Sequence, residues 1–491
     1  MARDKQDMVH AAIDVGTTSI KAVLFDQAGR ERVVARASVG VDRPQPGWAE
    51  QDMRAVWQEV IGLLSELAQA AGPSLAGLAI TAQGDGCWLS DAEGVPVRPA
   101  ILWNDGRAGP RVASWLADGT LGRMLDIGHF TGFAGIPAAI LPWLAEMEPT
   151  ALTRARTVFT CGSWIYRRLT GQTLIDPSDA AVPFMSATRQ AYDDTLLDLS
   201  GVKHIAALLP PIAQAGRPVY GLLPHVSATT GLPVDLPVVL APYDVPAAAL
   251  GAGCVEPGDM LMVLGTTFLT GSVVSGGTPP SFGGTDVPLG RTGSALRFFP
   301  ALVGMETLAW AARILGFANV EAAVAAALEA EARGAVFLPY LSPAGERSPF
   351  VDPLIKGGFV QLSLDHAPEN LMRAVLEGLT MTLLDCVLAS GGGQRIAVCG
   401  GGANSDGWCQ MLADATGMDV HRLASSELSA RGAALSALAV LDGEDERTVA
   451  LRWRDTARVW QPNSAQKARY DALHAEFVAA RTAMPRKAVQ P

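Results

Sequence analysis

The order of apolar and polar residues predicts two β-hairpins that share one pattern. Residues 10–25, HAAIDVGTTSIKAVLF, contain an apolar run, a Gly-Thr-Thr turn and a second apolar run, and residues 260–274, MLMVLGTTFLTGSVV, repeat this order. Two apolar runs joined by a tight polar turn are typical of a hairpin. The turns begin at Gly16 and Gly265, about half the chain apart. This spacing fits either two lobes built on one plan or the chance recurrence of a short string.

Strands and helices alternate through the rest of the chain. The spacing of apolar positions predicts amphipathic helices over residues 53–71 and 369–390. Residues 76–82, AGLAITA, are expected to form a strand, and residues 395–417 a buried strand, a glycine loop and a helix. A last helix is expected after Pro462. This alternation favours an α/β architecture.

Composition indicates a globular protein with more than one domain. The chain has 491 residues, of which 49% are hydrophobic and 18% charged, whereas a typical domain has about 150 residues. The 38 Lys and Arg residues against 49 Asp and Glu give a formal net charge of −11, and there is no basic run. Nucleic acid is therefore not an expected partner.

The cysteines and the N-terminus bear on the compartment. The six cysteines are scattered without a CxxC pair, which is typical of buried thiols in a reducing environment rather than of disulfides or zinc ligands. The N-terminus is charged, and no stretch of about 18 residues is continuously apolar. We therefore expect neither a secretory signal nor a membrane partner, and a cytoplasmic location.

Gly16-Thr17-Thr18 is a candidate phosphate-binding turn. It follows a strand that ends at Asp14, and Lys21 lies three residues beyond Thr18. A tight turn directs backbone N–H groups and threonine hydroxyls at a phosphate, and an aspartate at the strand end can hold the Mg²⁺ that accompanies it. An ordinary hairpin turn with an Asx-type hydrogen bond explains the same residues.

The second turn, Gly265-Thr266-Thr267, favours the phosphate interpretation. Aligning the two turns places Val263 opposite Asp14, so both keep the threonine pair and only the first keeps a carboxylate. One magnesium ion between two phosphate-binding turns requires this asymmetry. A purely structural turn gives no reason to keep Thr-Thr twice.

The glycine loop Gly400-Gly401-Gly402-Ala403-Asn404 is a candidate nucleoside site. Its glycines let a planar base and a ribose approach the backbone, and Asn404 offers both a donor and an acceptor. The loop does not match GxGxxG, and the chain has no GxxxxGK[ST]. Neither a dinucleotide fingerprint nor a Walker P-loop is therefore expected.

Asp244 is a candidate catalytic base. It lies in LAPYDVPAAALGAG, at the end of an apolar run, where a carboxylate can accept a proton from a hydroxyl group. An N-cap role for the following helix, with Pro246 in its first turn, explains the residue equally well.

Two polar clusters in the first half are candidates for binding a polyhydroxylated ligand. One follows the strand at 76–82 and the other follows a short apolar run that ends at Leu102. Amide, carboxylate, guanidinium and indole groups are suited to such ligands. A surface ion pair is the alternative for Asp105 and Arg107, and a GDG turn is the alternative for Asp85. The candidate residues are Gln83, Gly84, Asp85, Trp103, Asp105 and Arg107.

Taken together, these segments resemble the FGGY family of carbohydrate kinases over essentially the whole chain. DVGTTSIK is similar to the family's first phosphate motif, LGTTFLTG to the second, and VCGGGANSDGWCQMLADATG to the adenosine motif. The second-lobe string of the family is also matched, by Gly345-Glu346-Arg347-Ser348-Pro349, Asp352-Pro353 and Gly357-Gly358.

The resemblance implies two ribonuclease H-like lobes of the actin, hexokinase and Hsp70 type, residues 1–253 and 254–491, with ATP in the cleft between them. It implies phosphoryl transfer from ATP to a primary hydroxyl of a small sugar or polyol, with Asp244 as the catalytic residue and Asp14 near Mg²⁺. The clusters at 83–85 and 103–107 match acceptor-binding or adjacent positions. The expected ATP-binding residues are Asp14, Gly16, Thr17, Thr18, Lys21, Gly265, Thr266, Thr267, Gly401, Gly402 and Asn404.

Details of the resemblance favour a polyol acceptor. Xylulose kinases typically have GQMHG where this chain has AQGDG, glycerol kinases carry an acidic residue at the position of Asp85, and erythritol kinases are similar in QGDGxWL, SWIYRRLTG and DPSDA. A carboxylate accepts hydrogen bonds from two neighbouring hydroxyls. Conversely, LWNDGR is similar to xylulose kinases and PQPGWAEQD to L-xylulose kinases.

An erythritol-like tetritol is therefore the favoured acceptor, and a pentulose of the D- or L-xylulose type is the alternative. A nucleotide-dependent switch of the actin or Hsp70 kind and a non-catalytic sugar sensor are more distant alternatives. A homodimer is a candidate assembly.

Overall fold

The structure is a computed structural model and describes residues 8–213, 219–342 and 344–485. The expectation about a leader segment falls partly on residues 1–7, outside the described residues, as does part of the proline-rich stretch between residues 210 and 240. The strands of the described chain are β1 (Val9–Val15), β2 (Ser19–Phe25), β3 (Glu31–Ser38), β4 (Glu50–Gln51), β5 (Leu75–Ala82), β6 (Trp88–Ser90), β7 (Ala100–Ile101), β8 (Thr157–Phe159), β9 (Tyr220–Gly221), β10 (Pro237–Leu240), β11 (Asp259–Leu264), β12 (Phe268–Val274), β13 (Thr285–Pro288), β14 (Ala295–Pro300), β15 (Val336–Leu338), β16 (Gly358–Val360), β17 (Arg395–Cys399), β18 (Asp419–Arg422) and β19 (Arg458–Trp460).

Helices connect and cover these strands. They are α1 (Met53–Ala71), α2 (Gly109–Ala117), α3 (Thr120–Gly128), α4 (Pro137–Met147), α5 (Pro149–Arg154), α6 (Cys161–Thr170), α7 (Pro177–Ala181), α8 (Asp194–Ser200), α9 (Pro224–Thr230), α10 (Asp244–Gly251), α11 (Met305–Ile314), α12 (Val320–Glu329), α13 (Pro368–Ala389), α14 (Asp406–Thr416), α15 (Leu428–Asp442), α16 (Glu446–Trp453) and α17 (Ser464–Ala483).

The two large sheets follow one plan. The first has the order β3-β2-β1-β5-β10-β9 and the second has the order β13-β14-β12-β11-β17-β18-β19. In each, an antiparallel meander, of three strands in the first sheet and four in the second, continues into two parallel strands and ends in one antiparallel strand. The two predicted hairpins are β1–β2 and β11–β12, and they occupy equivalent places. The internal repeat is therefore confirmed, and chance recurrence of the string is wrong.

The first sheet is packed on both faces. Alternate residues of β1 point to opposite sides, so Ala11 and Ile13 pack with the apolar face of α1. Ala12 packs instead in the cluster that contains the buried residues of α15. Helix α15 belongs to the second half of the chain, so it joins the two halves through the core of the first.

Helices α10 and α15 touch through their backbones. A Cβ added to Gly432 would lie 1.8 Å from the carbonyl oxygen of Ala247, and one added to Gly251 would lie 2.1 Å from that of Leu428. No side chain fits at either position. This contact sets how closely α15, from the second half of the chain, packs on α10, from the first half.

The described residues include no helix that is long and apolar enough to cross a membrane.

The six cysteines are free thiols. Five of them are buried, and Cys399 is partly accessible. Burial raises the pKa of all six thiols above the usual value.

Candidate active site

The parallel strands of the first sheet bring three predicted residues to one edge. Asp14 is the next-to-last residue of β1, Gln83 directly follows β5, and Asp244 begins α10 shortly after β10. Because β1, β5 and β10 run parallel, their carboxyl ends lie at the same edge, where α/β sheets usually bind ligands. The backbone N–H of Gln83 donates to the carbonyl of Val15 at 2.9 Å, which joins two of these strand ends directly.

Asp14 and Asp85 both interact electrostatically with Asp244, and all three carboxyl groups have raised pKa values. Burial is the main cause in each case, and it raises the pKa to about 6 for Asp14, about 7 for Asp85 and about 8 for Asp244. The negative charges of Asp14 and Asp85 raise the pKa of Asp244 further, while Lys21 opposes them. A carboxylate with such a pKa is suited to accept a proton near neutral pH.

Asp14 fits the role of a magnesium ligand. Its side chain is buried, and no donor among the described residues forms a hydrogen bond with it. Lys21 lies opposite it in the β1–β2 register but places its Nζ 3.0 Å from Oε2 of Glu427. Magnesium that is bound together with phosphates needs only one or two carboxylates. One buried carboxylate beside a phosphate-type turn therefore suffices.

The first Gly-Thr-Thr turn is bonded to the acceptor loops through Thr17. The Oγ1 of Thr17 donates to Oε1 of Gln83 at 2.9 Å and accepts from Nε1 of Trp103 at 3.0 Å. Gln51, which was not predicted, donates from Nε2 to the carbonyl of Thr17 at 2.9 Å. The hydroxyl of Thr17 is thus used within the protein, whereas Thr18 is exposed. Both threonine hydroxyls are expected from the sequence to face a phosphate, but in the structure only that of Thr18 is free to do so.

The second turn lies beside the predicted nucleoside loop. A Cβ added to Gly400 would lie 2.7 Å from the carbonyl oxygen of Leu264 and 3.2 Å from the backbone nitrogen of Gly265. The two candidate nucleotide-binding segments of the second lobe therefore form one surface. Within it, Gly402 is buried, and the exposed residues are Thr266, Thr267, Gly400, Gly401 and Asn404.

Comparison with known proteins identifies the family to which this arrangement belongs. The N-terminal domain model of the FGGY family of carbohydrate kinases matches residues 9–251, and its C-terminal domain model matches residues 292–441. The chain belongs to the FGGY family of carbohydrate kinases.

Relatives and a solved structure support this membership. The chain is 32% identical to a xylulose kinase of Escherichia coli over 84% of its own length and 86% of the relative, and 31% identical to an erythritol kinase of Brucella abortus over 89% and 88%. The crystal structure of a xylulose kinase from Lactobacillus acidophilus superposes with a TM-score of 0.90 at 23% identity, covering 97% of this chain and 98% of that one.

Two expectations are thereby confirmed. The protein has the two-lobe architecture of the actin and hexokinase type, and it is a phosphotransferase with an alcohol group as acceptor. FGGY kinases use ATP as the phosphoryl donor.

Asp105 and Arg107 of this FGGY kinase form a buried ion pair. Both side chains are fully inaccessible, and Nε of Arg107 lies 2.8 Å from Oδ1 of Asp105. Oδ2 of Asp105 accepts from the backbone N–H of Ala49 at 2.6 Å, and the Arg107 guanidinium lies 3.9 Å from the ring centroid of Trp48 and 2.7 Å from Glu50. The surface ion pair considered from the sequence is therefore wrong. The pair fixes residues 47–50 against the second acceptor loop.

Tyr243 and Asp179 are two further residues at the site that sequence reasoning missed. Tyr243 is 8% exposed, and its ring lies so close to Gly84 that a Cβ there would be 2.7 Å from Cδ2 of the tyrosine. Asp179 is buried with Oδ1 unpartnered among the described residues. Burial is the main cause that raises its pKa, and the charges of Asp176, Asp85 and Asp244 raise it further. The DPSDA string pointed at Asp179 without giving it a role, whereas Tyr243 carried no signal of its own.

Proposed function

We propose that this FGGY kinase phosphorylates a primary hydroxyl of a small polyol, with an erythritol-like tetritol as the favoured acceptor. The observation that supports this choice is the environment of Asp85, whose carboxylate has no hydrogen-bond donor among the described residues and interacts electrostatically with Asp244. Such a carboxylate requires donors from a ligand. A polyol offers a hydroxyl at every carbon, whereas the carbonyl of a ketose donates none.

Asp244 is the proposed catalytic base. The acceptor oxygen attacks the γ-phosphorus of ATP, the bond to the β,γ-bridging oxygen breaks, and ADP leaves with that oxygen. The hydroxyl proton passes to the carboxylate of Asp244. In a loose transition state the nucleophile loses its proton late, so Asp244 contributes mainly by orienting the hydroxyl before transfer.

The two turns and the glycine loop are the proposed nucleotide site. Thr18, Thr266 and Thr267 offer exposed hydroxyls, and Thr17 contributes through its backbone because its side chain is already bonded. Mg²⁺ bound with the nucleotide would neutralise charge on the β- and γ-phosphate oxygens, and Asp14 is the side chain that fits it. The remaining proposed contacts are Gly16, Lys21, Gly265, Gly401, Gly402 and Asn404, and the proposed lobes are residues 1–253 and 254–491.

Gln83, Gly84, Asp85 and Trp103 are proposed to bind the acceptor, with Asp105 and Arg107 holding the second loop in place. A pentulose is the second candidate acceptor. The Escherichia coli relative is named a xylulose kinase, and the Trp103–Arg107 loop is similar to that of xylulose kinases.

A coupled assay of ADP release tests the proposal. The panel contains erythritol, pentitols, glycerol, D-xylulose and L-xylulose, and ³¹P and ¹³C NMR locate the phosphate on the product. We expect the highest kcat/KM with erythritol and a phosphate ester at a terminal carbon. Turnover with a pentulose alone would reverse the ranking. ADP release that is independent of every acceptor would contradict the kinase assignment.

A further inference from the structure

We propose that Arg347 of the second lobe completes the acceptor site by binding an acceptor hydroxyl that Asp85 of the first lobe also holds. This inference rests on the proposed function, because it names a second-lobe residue for the same acceptor. Arg347 would then be a specificity-determining residue, and the acceptor would be a neutral polyhydroxylated molecule that spans the cleft.

The guanidinium of Arg347 lies beside the acceptor loops. Its Cζ is 5.6 Å from the ring centroid of Phe133, a residue of the first lobe. Two positions further, the carbonyl of Gly135 accepts from the backbone N–H of Gly86 at 3.0 Å. A Cβ on Gly135 would lie 1.6 Å from the carbonyl oxygen of Trp103. One aromatic side chain therefore links Arg347 to the segment on which both acceptor loops rest.

Two of the three guanidinium nitrogens of Arg347 remain available. Nε donates to the carbonyl of Pro300 at 2.8 Å. In residues 8–213, 219–342 and 344–485, neither Nη atom has a hydrogen-bond acceptor or an ion-pair partner. The side chain is only partly buried. An arginine held by Nε alone keeps its outer pair of donors for a ligand.

Asp85 is the first-lobe charge that acts on Arg347. Each of the two residues shifts the pKa of the other toward the charged form, yet their side chains do not form an ion pair. A hydroxyl group is the ligand group that can bind both residues, because it donates to a carboxylate and accepts from a guanidinium at the same time. Neither a carbonyl oxygen, which only accepts, nor a protonated amine, which only donates, can satisfy both neighbours in this way.

The backbone that carries Arg347 is held on both sides. Oε1 of Glu346, which is 1% exposed, accepts from the backbone N–H groups of Leu302 and Arg347, both at 2.8 Å. On the other side, Oγ of Ser348 donates to the carbonyl of Gly283 at 2.6 Å. Arg347 is thus presented to the cleft from a fixed position, which reduces the entropy lost when it binds a ligand.

The test compares Arg347→Gln with the matched control Arg313→Gln, which removes an exposed arginine from the last turn of α11. For Arg347→Gln we expect the acceptor KM to rise about tenfold or more, as for the loss of a charged hydrogen bond. We expect the KM for ATP to change less than about twofold, and the thermal shift produced by the acceptor to disappear. Arg347→Lys keeps the positive charge but loses the planar pair of guanidinium donors. Its acceptor KM should therefore lie between those of the wild type and Arg347→Gln.

A double-mutant cycle with Asp85→Asn tests whether the two residues share one hydroxyl. We expect the effects of Arg347→Gln and Asp85→Asn on acceptor KM to be clearly less than additive. An unchanged acceptor KM in both Arg347 variants, or an equal rise in the KM of both substrates, would overturn the inference while leaving the kinase intact. Failure of the wild-type protein to phosphorylate any acceptor would instead contradict the proposed function, on which this inference rests.

Discussion

Asp244 has two properties that a solvent-exposed aspartate lacks, a raised pKa and a fixed position. It is ionisable near neutral pH, because burial and the charges of Asp14 and Asp85 raise its pKa to about 8. It is also held in place, because it is the first residue of a helix whose backbone is in contact with α15. A residue placed in this way is suited to aim a hydroxyl at a phosphoryl group.

Asp244→Asn should abolish most turnover without abolishing nucleotide binding. The amide keeps the size of the side chain but cannot accept the hydroxyl proton, so we expect kcat to fall by about 10²–10⁴-fold. Binding of a non-hydrolysable ATP analogue, measured by calorimetry, should change little. A kcat near the wild-type value would show that the base has been assigned to the wrong residue.

Asp85→Asn should move the acid limb of the pH profile. In the wild-type enzyme kcat/KM for the acceptor should rise with pH through the pKa of Asp244, about 8, because the base must be ionised. Removing the negative charge of Asp85 lowers this pKa, so the limb should shift to lower pH. Asp118→Asn, at an exposed position, is the control. An acid limb at the same pH in the wild type, Asp85→Asn and Asp118→Asn would contradict the electrostatic effect of Asp85 on Asp244.

At the scale of elements, the two hairpins were predictable because their signal is local. Alternation with period two and a tight turn depend on neighbours in the sequence, so β1–β2 and β11–β12 were found at nearly their observed bounds. Helix α1 and helix α13 were found in the same way. The burial of Arg107 was not predictable, because the residues that enclose it, Trp48 and Glu50, lie in a segment with no periodic pattern.

Gly432→Ala should weaken the contact between α10 and α15. The added methyl group would lie 1.8 Å from the carbonyl oxygen of Ala247, so the helices must move apart. We expect the free energy of unfolding to fall by about 1–3 kcal/mol, as for other overpacked positions. Urea denaturation measures this change.

Gly62→Ala is the matched control for this variant. Gly62 lies in the exposed part of α1 with nothing within 4 Å of an added Cβ. Alanine at that position should stabilise the protein by about 0.5–1 kcal/mol. A similar change in the free energy of unfolding of both variants would contradict a stabilising role for the contact between α10 and α15.

For the whole molecule, the two-lobe plan followed from the repeat and from the family resemblance, but the contacts between the lobes did not. Arg347 meets Phe133 across more than 200 positions of sequence, and α15 covers a sheet formed by residues of the other lobe. Such contacts depend on how two complete lobes are oriented. No local pattern carries that information, so the acceptor site predicted from sequence contained residues of the first lobe only.

The raised pKa of Asp244 should also appear in global stability. A carboxyl group whose pKa is near 8 when folded and about 3.9 when unfolded binds more protons in the folded state between these values. Its contribution to stability is therefore lost as pH rises from about 4 to about 8. Asp244→Asn should unfold at a higher temperature than the wild type at pH 9 and by a smaller margin at pH 5. Equal margins at both pH values would contradict the raised pKa.

The low reactivity expected of the native cysteines makes this protein convenient for spectroscopy. The thiolate is the nucleophile that reacts with thiol reagents. Five of the native thiols are buried, and burial raises the pKa of all six, the partly accessible Cys399 included. Cysteines introduced at exposed Ser114 and Ala325, one on each lobe, would take up fluorophores without removal of the native six. Energy transfer between such dyes would report lobe movement as nucleotide and alcohol bind, in an otherwise unmodified enzyme.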